Sequence, residues 1–71
     1  MKELKLHRSL YRGAAIEQAL RVYTRYATVE QGEELEYWVV RVSAASPARE
    51  QRVARELANY ALGLTVAGLP R

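Results

Sequence analysis

The chain opens on strict alternation. From Glu3 to Arg8, Leu4 and Leu6 fall to one side and Lys5 and His7 to the other, the two-residue period of a half-buried strand. The period then changes. From near Tyr11 or Arg12, the apolar positions Ile16, Ala19, Leu20, Tyr23 and Ala27 recur at helical spacing, and Glu17 with Arg21 makes a favourable i,i+4 pair. Gly13 falls near the start of this helix, where a small residue costs little. Thr28 and Val29 are β-branched and Gln31-Gly32-Glu33 reads as a turn, which predicts a short strand over 26–30 and then a hairpin. The strongest strand of the chain follows from Leu35 to Val42, with Tyr37, Trp38, Val39, Val40 and Val42 almost uninterrupted.

Ser46-Pro47 predicts the start of a second helix. Serine caps it, and proline at the first helical position loses no hydrogen bond. Val53, Leu57, Tyr60, Ala61 and Leu64 form one apolar stripe along it, while Arg52 and Glu56 pair in the less favourable order. Two endings compete. Either the helix runs raggedly to about Ala67, or it stops at Gly63 and Leu64-Thr65-Val66 adds a short strand. The stripe reaching Leu64 favours the helix, and Gly68 and Pro70 close the chain.

The element order is therefore βαββα, in one α+β domain over residues 1–71. Its natural packing is a three-stranded antiparallel sheet with two helices on one face, a truncated ferredoxin-like unit. The first strand is then an open edge, where a last strand would pair. The expected core is Leu4, Leu6, Ile16, Leu20, Tyr23, Trp38, Val40, Val42, Val53, Leu57, Ala61 and Leu64.

Length changes the picture by limiting the core. A chain of 71 residues buries only roughly 60 % of its unfolded surface, and small domains make up the deficit with disulfides, metals or a second subunit. There is no cysteine, which removes the disulfide and the cysteine-bound zinc and suits a reducing cytoplasm. Oligomerisation remains. No stretch reaches the roughly 18 apolar residues that span a bilayer. Lys2 and Lys5 are not followed by the apolar run of a signal peptide. The reading is a soluble, cytoplasmic protein.

Candidate chemistry is sparse. With one histidine, no cysteine and no aspartate, a Ser-His-Asp arrangement cannot be assembled, and His7, the one histidine, falls on the exposed side of its strand. Glu33, Glu34 and Glu36 gather near a turn but lack the spacing of a cation site. Gly13 stands alone, without a phosphate-binding glycine pattern. The expectation is a non-enzyme with no catalytic residue, cofactor or metal.

Two surfaces attract attention. On the central strand Trp38, Val40 and Val42 form one face, and Leu35, Tyr37 and Val39 form the other, ended by Arg41. The two helices cover only one face. Tyr37 and Val39 are then expected to lie exposed as an apolar patch, the usual mark of an interface. Leu4, Leu6, Leu35, Tyr37 and Val39 are accordingly the candidate interface residues, for a homodimer or a hetero-complex joined through the sheet. Packing face to face through Tyr37 and Val39 is favoured over edge pairing, because Lys5 partly guards the first strand. The second surface is basic. The net charge is +3, from eleven Lys/Arg against eight Glu, with signs mixed along the chain. Arg49, Arg52 and Arg55 recur every three residues and offer phosphate contacts, but Glu50 and Glu56 dilute them and no aromatic is interleaved. A small nucleic-acid-binding protein is therefore the alternative reading.

One family resemblance runs through most of the chain. Leu10-Tyr11 ahead of Ala15-Ile16-Glu17-Gln18-Ala19-Leu20 and Tyr23-Thr24 is similar to the first helix of the small D proteins of the His-Xaa-Ser peptide-maturation systems. The strand Tyr37 to Val42, followed by Glu56-Leu57-Ala58-Asn59-Tyr60-Ala61-Leu62, resembles their second half. The motifs are soft, mostly apolar spacing and one Tyr-Thr pair. That resemblance implies a non-catalytic accessory encoded with radical-SAM enzymes and a repeat-bearing precursor. His7-Arg8-Ser9 spells one His-Xaa-Ser triplet, which carries no weight, since the repeats belong to the precursor.

Overall fold

The computed structural model describes residues 1–66. The elements are β1 (Lys2–His7), α1 (Gly13–Tyr23), β2 (Thr28–Glu33), β3 (Tyr37–Ser43) and α2 (Pro47–Val66). The sheet order is β1-β3-β2, with both pairings antiparallel. This is the expected βαββα arrangement. β3 lies in the middle, as its run of β-branched and aromatic residues requires, and β1 is an edge.

Register sorts the side chains. Leu4 stands opposite Val40 and Leu6 opposite Trp38, while Val29 faces Val42 from the other side. These residues share the face that the helices cover. The core joins Leu6, Val40 and Val42 to Ile16 and Ala19 of α1 and to Val53, Ala54, Leu57 and Ala61 of α2. Leu4, Leu20, Tyr23 and Trp38 pack against it, partly buried. Of the expected core, Leu64 alone stands outside this cluster, half-buried near the end of α2. Ala19, Ala54 and Ala61 are almost fully buried. Alanines at such contacts let two helices approach closely.

The hairpin differs from expectation by several residues. β2 continues through Gln31-Gly32-Glu33, and the turn falls on Leu35-Glu36, closed by the Glu34 N–H donating to the Tyr37 carbonyl at 2.9 Å. Gly32 is a strand residue opposite Val39. A Cβ at this position would make only ordinary contacts, 3.5 Å from Arg41 Nη1 and 3.9 Å from Val39 Cβ. Ala27, placed on the first helix by spacing, follows that helix instead, because α1 ends at Tyr23.

Both helix starts are tied down. Ser46 Oγ accepts the Arg49 N–H at 3.2 Å, the expected cap of α2. Glu50 accepts the Ala44 N–H at 3.1 Å and pairs with the Met1 ammonium at 3.1 Å. The Ala44 bond first, then the Met1 ammonium, holds this carboxyl below the ordinary glutamate range. α1 has no side-chain cap from Arg12. Its Arg12 N–H is instead accepted by Thr65 Oγ1 at 3.2 Å, and the Thr65 hydroxyl donates to the Ala61 carbonyl at 2.9 Å. That bond decides between the two predicted endings: residues 64–66 belong to α2. Ala67, Gly68 and Pro70 lie outside the described residues.

Trp38 sits where three elements meet. Its Nε1–H donates to the Tyr11 carbonyl at 3.1 Å, and the Arg8 guanidinium lies 4.2 Å from its ring centroid. On the side of α1, a Cβ added to Gly13 would stand 2.8 Å from the ring. Gly13 is therefore an obligate gap for the tryptophan, a stronger reason than its place at a helix start.

Candidate functional site

The second sheet face is not the apolar patch that alternation predicted. Val39 does point there, yet it is 2 % exposed. Its neighbours explain the difference. Register places Glu3, Arg41 and Glu30 in one row and Lys5, Val39 and Gly32 in the next. Arg41 bonds Glu3 at 3.3 Å and Lys5 bonds Glu34 at 3.3 Å. Long charged side chains lay their aliphatic stems over apolar surface and keep their heads in water. Tyr37 is half-buried and meets the His7 ring edge-on at 5.1 Å. Face-to-face association through Tyr37 and Val39 thus loses the exposed surface on which it was argued.

The remaining interface candidates also change character. Leu35 stands at the hairpin tip, 92 % exposed and away from the sheet face. Leu6 is buried and Leu4 half-buried, both turned toward the helices. What β1 offers a partner is its outer backbone edge. Among the described residues nothing pairs with it, and α2 lies against the same strand.

A second site forms between the end of α1 and the first turns of α2. A cleft of about 280 Å³ is lined by Tyr26, Arg49, Arg52, Val53 and Glu56. Arg49 Nε donates to the Tyr26 carbonyl at 3.5 Å. Tyr23 packs against Tyr26 and Tyr60, with ring centroids 5.8 and 6.1 Å away. Burial, then the Glu56 charge, raises the Tyr23 phenol above its ordinary range. Two of the three candidate arginines thus share a cleft with an aromatic that sequence spacing did not place beside them. Arg55 is exposed and does not line it. Glu56 puts a negative charge into the same cleft, which opposes an anionic ligand.

His7 and Ser9 make the third cluster. The Ser9 hydroxyl lies 2.8 Å from His7 Nδ1, and the Ser9 N–H donates to that same nitrogen at 3.1 Å. This brings a hydroxyl and a base within bonding distance, as nucleophilic catalysis requires. The backbone donor claims the Nδ1 lone pair, however, and the His7 carbonyl receives the Leu10 and Tyr11 N–H groups at 3.0 and 3.1 Å. The imidazole caps the turn that leads into α1. Among the described residues no group of three His, Cys, Asp or Glu side chains is placed to hold a metal, and no helix is long and apolar enough to cross a membrane.

Comparison with family models, with characterised proteins and with solved structures finds no match to this chain.

Proposed function

We propose that the chain is a non-catalytic accessory, a protein-interaction module that receives a strand of its partner beside β1. The observation that carries this reading is the outer edge of β1, which nothing pairs with among the described residues, lying against α2 with Leu4 only half covered. A strand added there satisfies the open backbone groups and closes over Leu4. The resemblance to the D proteins of the His-Xaa-Ser systems supports placing such a module with a radical-SAM peptide-modifying enzyme. The cysteine-free composition suits work in the cytoplasm. Radical-SAM genes beside this one would support that setting.

Hydrogen exchange along residues 2–7 tests the reading. It is measured on the dilute chain alone and on complexes formed with co-expressed neighbouring gene products. Exchange slowed in this strand on complex formation is the expected result. A complex that leaves residues 2–7 exchanging as before rules out the β1 edge as the contact.

The second reading, a small basic nucleic-acid-binding protein, is favoured by one observation, the placement of Tyr26 beside Arg49 and Arg52. Few phosphates can be neutralised there at once, so affinity at physiological salt is expected to be weak. Sub-micromolar protein is expected to give no gel shift with single- or double-stranded DNA or RNA in that salt. A shift that disappears on charge reversal at Arg49 and Arg52 would establish the second reading instead.

A further inference from the structure

We propose that the strand received beside β1 is the β1 of a second copy, antiparallel and centred on Leu4. This rests on the strand-addition reading above and names the occupant. A two-fold axis perpendicular to a continuous sheet keeps each residue on its own face, so it must pass through a residue position. The sequence Lys2-Glu3-Leu4-Lys5-Leu6 places opposite charges symmetrically about Leu4. Centring there sets Glu3 against Lys5 of the second copy, twice, on the open face. On the helix face it sets Leu4 against Leu4, and Leu6 beside the stem of Lys2.

The competing registers lack this complementarity. Centring on Lys5 gives the same overlap but opposes two lysines on the axis, and centring on Glu3 opposes two glutamates. Like charges directly opposite each other destabilise a strand pair. The other edge offers no such complementarity in any register, because β2 carries Glu30 and Glu33 and no cation to set against them.

The intrachain ion pairs extend the argument. Arg41 already holds Glu3, and Lys5 already reaches Glu34. In the Leu4-centred pair these join into a line across the sheet, running Arg41, Glu3, then Lys5 and Glu34 of the second copy, with signs alternating throughout. A lysine that would guard a lone edge becomes, in this register, the group that selects its partner.

Charge reversal tests the register. Light scattering coupled to size exclusion at micromolar concentration is expected to show a dimer. Glu3→Lys and Lys5→Glu each place like charges opposite one another twice, so each is expected to raise the dimer dissociation constant at least ~10-fold. When the two variants are mixed, the lysine introduced in one faces the glutamate introduced in the other. The unchanged Lys5 of the first then faces the unchanged Glu3 of the second, and the mixture is expected to dimerise again. Because the chain has no cysteine, Glu3→Cys and Lys5→Cys give a clean second readout. Under mild oxidation they are expected to cross-link to each other in preference to themselves. A Lys5→Cys chain that links mainly to itself would overturn the Leu4-centred register.

The failures are separable. A wild-type monomer at ~100 μM whose residues 2–7 are still protected by another protein removes the self-pairing and leaves strand addition standing. A dimer that survives both reversals, with residues 2–7 exchanging freely, removes both. Circular dichroism of each variant shows whether loss of the dimer reflects loss of the fold.

Discussion

Leu57→Ala is expected to lower the unfolding free energy by about 3 kcal/mol, within the range for large-to-small changes in a close-packed core. Leu57 is fully buried in the cluster that joins α2 to α1 and the sheet. Removing it leaves a void that the surrounding alanines cannot fill. For a domain of this length the total stability is on the order of 4–10 kcal/mol, by the usual per-residue range. The loss is therefore a large share of the whole. Urea denaturation followed by circular dichroism measures it. It should be done at low protein concentration, because any dimer adds a concentration-dependent term. A loss below about 1 kcal/mol would show that Leu57 does not anchor the core.

The second large effect concerns one substitution made at two glycines. Alanine usually stabilises a helix relative to glycine by roughly 0.5–1 kcal/mol. At Gly63 nothing lies within 4 Å of the added Cβ, so Gly63→Ala is expected to stabilise the fold by about that amount. At Gly13 the added Cβ would stand 2.8 and 2.9 Å from two ring carbons of Trp38. The ring is held by the Tyr11 carbonyl and by the Arg8 guanidinium, so it cannot yield without losing those contacts. Gly13→Ala is expected to destabilise by about 1–3 kcal/mol, as overpacking does. Thermal melts of the two variants should move in opposite directions, and Trp38 emission should shift to the red only for Gly13→Ala. Equal shifts in melting temperature would refute the clearance argument.

These cases show which parts of the fold the sequence can reveal. The alternation over Glu3 to Arg8 and the apolar stripe through Val53 and Leu57 are local periods, and both elements form where those periods place them. Gly32 reads as a turn residue from its neighbours alone, and its place in the strand shows only in its pairing with Val39 of β3. Alternation assigns Val39 to an exposed patch, because its cover comes from across the sheet, where Lys5 is its register partner. Tyr26 escapes notice beside Arg49 for a similar reason. Only the docking of α2 against the end of α1 brings the two together. Local pattern thus reveals which face each residue takes, but not what lies over that face. The β1 edge is legible from topology, since the βαββα order leaves the first strand outermost among the described residues.

The two-residue hairpin turn has a consequence for the order of assembly. β2 and β3 meet across Leu35-Glu36, so their pairing encloses almost no chain. β1 reaches β3 only after α1, β2 and the turns between them have been looped out. Closing longer loops costs more entropy, so contacts between distant segments form later. The hairpin is the natural early structure, and β1 is the strand that arrives on it. During synthesis or after transient release, the vacant side of β3 is then open to any strand of matching register. The β1 of another chain could dock there in place of its own, which would make exchange of this strand between copies a hazard built into the topology.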